Sequence, residues 1–209
     1  MSVKSFESVD AATTILDQAM SKAADALSFF VKQKVSALHV EQYSSVQTML
    51  SEKLSGKEAG LHYYAMRTEL LGEIKGVCYL MFSAQEIQEL FKVNFTTSIL
   101  ADSTKAILLQ EALLLEVDNI LSAAAIAVFS DQLKLRMFGG VPHVNTFPSN
   151  QLLSTIPSEY LAQESFEGFS VILASENKQI AVEFIWVLES RFFAELKNVG
   201  SRSRTINPD

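Results

Sequence analysis

The segment Gly76-Val-Cys-Tyr-Leu-Met-Phe-Ser-Ala-Gln-Glu-Ile-Gln-Glu-Leu-Phe-Lys92 resembles Ala181-Val-Glu-Phe-Ile-Trp-Val-Leu-Glu-Ser-Arg-Phe-Phe-Ala-Glu-Leu-Lys197, 105 positions later in a chain of 209 residues. Each copy runs from an apolar strand pattern straight into a helix pattern. A repeat spanning half the chain restricts the fold to architectures in which two equivalent halves share one core. The flanking segments keep the same order. Ahead of the first copy come a helix over Ala11–Lys32, apolar at Ile15, Ala19, Ala23, Leu27 and Phe30, and strand patterns at Val35–Val40 and Leu61–Thr68, with a turn at Gly72. Ser83-Ala-Gln-Glu86 is a capping-box start for the helix that follows, through Phe91. Ahead of the second copy come a long helix over Lys105–Phe129, a strand at Lys134–Phe138 and a Gly139-Gly140 turn. A strand at Gly168–Ala174, a turn at Ser175–Lys178, a strand at Ile180–Leu188 and a closing helix over Glu189–Lys197 complete the half.

These patterns predict an α+β fold. It is a pseudo-twofold, duplicated helix-strand-strand-strand-helix unit, with a mostly antiparallel sheet and long helices packed on it. The joint from Asn94 to Ser103 holds no Pro/Gly-rich linker, so residues 1–199 are expected to form one domain with halves at about 11–95 and 103–199. Residues 200–209 read as a disordered tail.

The long helix raises a question of environment. Mean hydropathy is +0.18, high for a soluble chain, and Lys105–Phe129 carries most of the excess. Gln110, Glu111, Glu116, Asp118 and Asn119 interrupt it, and ionised groups at mid-bilayer depth are expensive. A buried helix of a soluble protein is the better reading, with Asp102-Ser103 as its N-terminal capping signal. At 100° per residue, Leu113, Leu114, Val117, Ile120, Leu121, Ala124 and Val128 form its apolar side. Lys105, Ala112, Glu116, Asn119, Ala123, Ala127 and Ser130 form the other side, polar at its centre and flanked by small residues.

Charge and cysteine content exclude whole classes of function. Seventeen Lys+Arg against 24 Asp+Glu leave a net charge of −7, which disfavours nucleic acid and anionic membranes as partners. One cysteine, Cys78, excludes an internal disulfide and suggests a reducing, cytoplasmic setting, and the first ten residues hold no apolar run of signal-peptide length. His39, His62 and His143 fall in different elements with no metal-binding spacing, and the nucleotide-loop and nucleophile-elbow motifs are missing. Cys78 and Trp186 both read as core residues.

What remains is Glu116-Val-Asp-Asn119, followed after 22 residues by Pro142. The pattern Glu-x2-Asn-x22-Pro resembles the signature of the CheC/CheX/FliY family of chemotaxis phosphatases. Three such fixed matches arise by chance in about 2% of chains this long, at ~5% abundance per residue type. The setting also agrees: a long helix opens the second half, a strand follows, then the Pro. Leu70-Leu-Gly-Glu-Ile-Lys-Gly-Val-Cys-Tyr-Leu-Met-Phe82 is similar to the family's strand–turn–strand segment, and the length and duplication match CheC-like members in particular.

The resemblance implies a hydrolase acting on the aspartyl phosphate of a CheY-like response-regulator receiver, which terminates a bacterial chemotaxis or two-component signal. Asn119 would orient the attacking water and Glu116 would contact the receiver's lysine, with Pro142, Ala112 and Ala123 in support. No cofactor of its own is implied, because the receiver brings its Mg²⁺. A CheD-like partner and self-association stay open. CheC-type members often carry a second Glu/Asn pair on the first helix; the region taken as equivalent, Leu16-Asp-Gln-Ala-Met20, lacks it, so one active site is expected. The family's glycines after the Asn are replaced by Leu121-Ser-Ala-Ala124. The alternative is a non-catalytic binding module of the same fold, as in the flagellar-switch protein FliM.

Overall fold

Strands that are apolar on both faces need a packing layer on each side, and the chain supplies two. The computed structural model describes residues 11–55, 62–96, 103–148, 160 and 165–205. In chain order its elements are α1 (Ala11–Val31), β1 (Val35–Ala37), β2 (Glu41–Tyr43), α2 (Val46–Ser55), β3 (His62–Gly72), β4 (Gly76–Ser83) and α3 (Ala84–Asn94). The second half contains α4 (Ser103–Leu133), β5 (Met137–Gly139), β6 (His143–Pro148), β7 (Phe166–Ser175), β8 (Ala181–Glu189) and α5 (Ser190–Thr205).

The sheet runs β1-β7-β8-β4-β3-β5, with β2 also on β7 and β6 also on β3, and every pairing is antiparallel. The two copies of the repeated strand, β4 and β8, lie side by side at its centre. Their register carries the duplication: Tyr79 faces Ile185 and Leu80 faces Phe184, and a shift by the 105-residue repeat exchanges these two pairs. The pseudo-twofold axis therefore passes between them.

The helix ends repeat as closely. Lys32 after α1 and Lys134 after α4 take φ of 55° and 56°, the left-handed geometry that ends a helix. The Val35 N–H donates to Ser28 Oγ at 2.8 Å, and Met137 N–H donates to Ser130 Oγ at 3.2 Å. Glu176 N–H donates to the Lys34 carbonyl and Glu73 N–H to the Arg136 carbonyl. Each of these helix-side matches is offset by 102 residues.

Side-chain alternation divides β4 and β8 between the layers. Cys78, Leu80, Phe82, Phe184, Trp186 and Leu188 pack in the main core with α1, α3, α4 and α5. Val77, Tyr79, Met81, Ile185 and Val187 pack on the opposite face with Val46, Met49 and Leu50 of α2. Thr104–Leu133 is long and apolar enough by composition to cross a membrane. Its inner face, Leu114, Val117, Leu121, Ala125 and Phe129, is built into the main core.

The structure departs from the sequence reading in local places. β1 stops at Ala37 instead of Val40, and β2, α2 and β6 were not anticipated. Among the eight described side chains of α2, Val46, Met49 and Leu50 are buried, too few for a clear period, and its start is capped by Ser45 Oγ, which accepts from Thr48 N–H. Among the described residues β6 pairs only with β3, at the sheet margin, where alternation is weakly enforced. α5 continues through Thr205, over part of the segment read as a disordered tail, with no proline between Ser190 and Thr205 to stop it. Ile120, placed on the apolar side of α4, is 37% exposed because α4 packs with its Asp118 side inward. The capping residue Asp102 and residues 206–209 of the tail lie outside the described residues.

Candidate active site

Positions 112, 116 and 119 are three to four residues apart, so they project from one face of α4. All three side chains are exposed. Pro142 arrives beside them because the chain reverses once after α4 and then keeps its course. β5 and β6 are both antiparallel to β3, so the turn expected at Gly139-Gly140 is instead a bulge, residues 140–142 lying opposite residues 68–69 of one continuous edge. The left-handed Lys134 ends α4, the Ser130 hydroxyl receives Met137 N–H, and β5 then runs back along the helix as the partner of β3, with Leu70 opposite Gly139. Gly140 N–H donates to the Glu69 carbonyl at 2.8 Å and ties the bulge to β3. Ala112, Leu115, Glu116 and Asn119 on one side, and Gly139, Gly140, Val141 and Pro142 on the other, line one open groove of about 570 Å³.

Close approach of these walls depends on Gly139. A Cβ there would lie 3.1 Å from Thr68 Cγ2 and 3.5 Å from Ile126 Cδ1. Val141, 78% exposed, forms the apolar lip. Ala123 is exposed one turn beyond Asn119 and is not part of the lining.

Directly under the groove lies a residue that the sequence reading used only as an interruption of a membrane span. Asp118 is fully buried, and Thr68 Oγ1 donates to its Oδ2 at 2.5 Å. Burial pushes its acid up to about 7, opposed by that hydrogen bond. The available signal was its position: Asp118 falls between Leu114 and Leu121 on the stripe that turns inward.

The duplication locates the counterpart of the groove. At the 102-residue offset of the helix ends, Glu116 corresponds to Thr14, Asn119 to Asp17 and Pro142 to Val40. This moves the equivalent region a little upstream of Leu16–Met20. Neither a Glu/Asn pair nor the proline is present there, so the described halves carry one copy of the constellation.

A larger cavity, about 770 Å³, opens beside Lys75, Glu189 and Arg191. Its polar groups serve the fold: Lys75 N–H donates to Glu189 Oε2, and Arg191 donates to the Glu73 carbonyl. Among the described residues no group of three His, Cys, Asp or Glu could hold a metal ion. The groove's described lining offers a carboxylate and a carboxamide, and no Ser, Cys or His nucleophile is among those described residues. It can form an ion pair and hold a water or a polar ligand through one donor and one acceptor. A reacting bond would have to be supplied by what enters it.

These features define a class, a duplicated α+β protein with a helix-borne Glu/Asn pair facing a proline-bearing bulge at the sheet edge. No protein-family model matches the chain, and no curated protein matches its sequence. Solved structures do match. FliY of Thermotoga maritima is 13% identical and superposes with a TM-score of 0.61, over 91% of this chain and 93% of that one. A chain of the CheX–CheY–BeF3–Mg²⁺ complex of Borrelia burgdorferi is 11% identical with a TM-score of 0.54, over 84% and 97%. A chain of the FliG–FliM complex of H. pylori is 12% identical with a TM-score of 0.50, over 90% and 96%. The fold is that of the CheC/CheX/FliY family of chemotaxis proteins.

Proposed function

We propose that the protein hydrolyses the aspartyl phosphate of a CheY-like receiver domain and so terminates a chemotaxis or two-component signal in the bacterial cytoplasm. One observation carries the reading. Glu116 and Asn119, and Pro142 from 23 residues further on, line one groove on a fold shared with CheX, which has been solved in complex with CheY, BeF3 and Mg²⁺.

In this reading the substrate contributes the phosphoryl group, its Mg²⁺ and a lysine. Glu116 pairs with that lysine and sets the docking register. Asn119 reaches the phosphorus, its carboxamide oxygen accepting from a water and its NH₂ donating to that water's oxygen. The water attacks in line, a P–O bond to the water forms as the bond to the receiver's aspartate breaks, and the products are the free carboxylate and inorganic phosphate. A loose transition state asks for little prior deprotonation of the water, so positioning suffices without a strong base. The open groove, with Ala112 and the glycine-bearing bulge as low walls, admits a second protein.

A second reading, a binding module without activity, is favoured by the Thr14/Asp17 replacement in the first half and by the FliM-type relative of the same fold. Asn119→Ala separates the two. The phosphatase reading expects wild type to accelerate phosphate loss from a cognate receiver and the variant to lose that acceleration while receiver binding and the fold survive. Binding without acceleration by either form would establish the second.

A further inference from the structure

The duplicated fold provides an internal control for Asp118. In the helix correspondence that places Thr14 opposite Glu116, Asp118 corresponds to Leu16. In the strand correspondence Gly72 matches Ser175, since each precedes the residue that bonds the carbonyl of Arg136 or Lys34, and Thr68 then matches Val171. Leu16 and Val171 are both buried in the main core. The half without a Glu/Asn pair thus fills this place with two apolar side chains, and the half with the pair fills it with an acid and a hydroxyl. Packing alone does not call for the polar version. It is also costly, because Asp118 Oδ1 is buried without a hydrogen-bond partner. Cys78 on β4 is the titratable group facing it, its own thiol pushed up by burial and by Asp118.

We propose that the Asp118–Thr68 hydrogen bond is a positioning device that anchors the Glu116–Asn119 turn of α4 to β3. The same strand holds the opposite wall of the groove. β3 pairs with β5 through Leu70 and Gly139, and Thr68 Cγ2 lies where a Cβ on Gly139 would make contact. Ser122 Oγ, donating to the Asn119 carbonyl at 3.2 Å, lies 4.0 Å from that same point. Thr68 therefore bonds the helix wall and lies beside the Gly139 wall, and its hydrogen bond sets a direction that a leucine–valine contact leaves free. The kinetic consequence rests on the phosphatase reading; the anchoring does not.

The test transplants the pair of the first half into the second. Thr68→Val with Asp118→Leu is expected to fold with a Tm at or above wild type, since a half-satisfied carboxyl is removed together with its partner. Hydrogen exchange of the amides of residues 116–122 should rise about tenfold, the loss of one hydrogen bond, while residues 14–20 of α1 stay unchanged. Thr68→Ser, which keeps the hydroxyl and gives up only Cγ2, should leave exchange over 116–122 as in wild type. On a cognate phosphorylated receiver, kcat should fall about 10–100-fold with KM nearly constant, as for a misplaced catalytic group. Unchanged exchange over 116–122 would overturn the anchoring. Raised exchange with unchanged kcat would overturn its role in positioning the site. An inactive wild type would overturn the phosphatase reading, and the exchange result would still decide the anchoring.

Discussion

At the residue scale the acid beneath the groove ties stability to pH. Asp118 is raised from 3.8 to about 7 by burial, so the folded state holds its proton more tightly than the unfolded chain. Its contribution is fully present below pH ~4, declines as pH rises toward 7, and is flat above; over three units it amounts to about 4 kcal/mol. Other carboxyls act in the opposite sense, such as Glu41, held low chiefly by its hydrogen bond from Lys53. The signature is therefore a difference: Asp118→Asn should gain stability over wild type between pH 4 and 7, measured by urea denaturation at each pH. A difference that does not vary with pH would refute it. Glu116 and Asn119 were legible in the sequence because polar residues are sparse on that helix. Asp118 was not singled out, because a charge on an apolar helix reads as an interruption until its facing is known.

At the element scale the junctions between the copies are made by carboxylates. Ser83 and Glu86 form the capping box of α3: Ser83 Oγ accepts from Glu86 N–H, and Glu86 Oε2 accepts from Ser83 N–H at 2.7 Å. Glu86 Oε1 also accepts from Ala181 N–H, the first residue of β8, at 2.8 Å. Glu189 does the reverse service, accepting from Lys75 N–H just ahead of β4. Ser83→Ala should cost about 1 kcal/mol, as loss of a helix cap does, and Glu86→Ala more, because it frees donors on two elements. Thermal melts of the two variants check the order; a smaller effect for Glu86→Ala would contradict it. The capping box was visible as Ser-x-x-Glu. The bond to Ala181 was not, since it joins residues 95 apart that only the sheet brings together. For the same reason the sequence patterns located the central strands, buried on both faces, and missed β2 and β6, whose residues answer to margin pairing and not to an alternating core.

At the scale of the whole molecule, the repeat visible at Gly76 and Ala181 became a sheet in which neither half ends at its own boundary. β1 and β2 of the first half pair with β7 of the second, β5 and β6 of the second pair with β3 of the first, and β4 joins β8 at the axis. α1 and α4 pack against each other over the same core. Unfolding should be one cooperative transition, with far-UV circular dichroism and the fluorescence of Trp186, which is buried at the centre, changing together; two separated transitions would contradict a shared core. The same symmetry sets apart a place where the halves differ in chemistry, the groove of Glu116, Asn119 and Pro142 above Asp118. The most direct measurement is the decay of phosphate on a cognate CheY-like receiver with wild-type protein and with Asn119→Ala, alongside receiver binding by both. Faster decay with wild type only, at equal binding, is the predicted result. Equal binding with no acceleration by wild type would contradict the assignment of the groove as a phosphatase site.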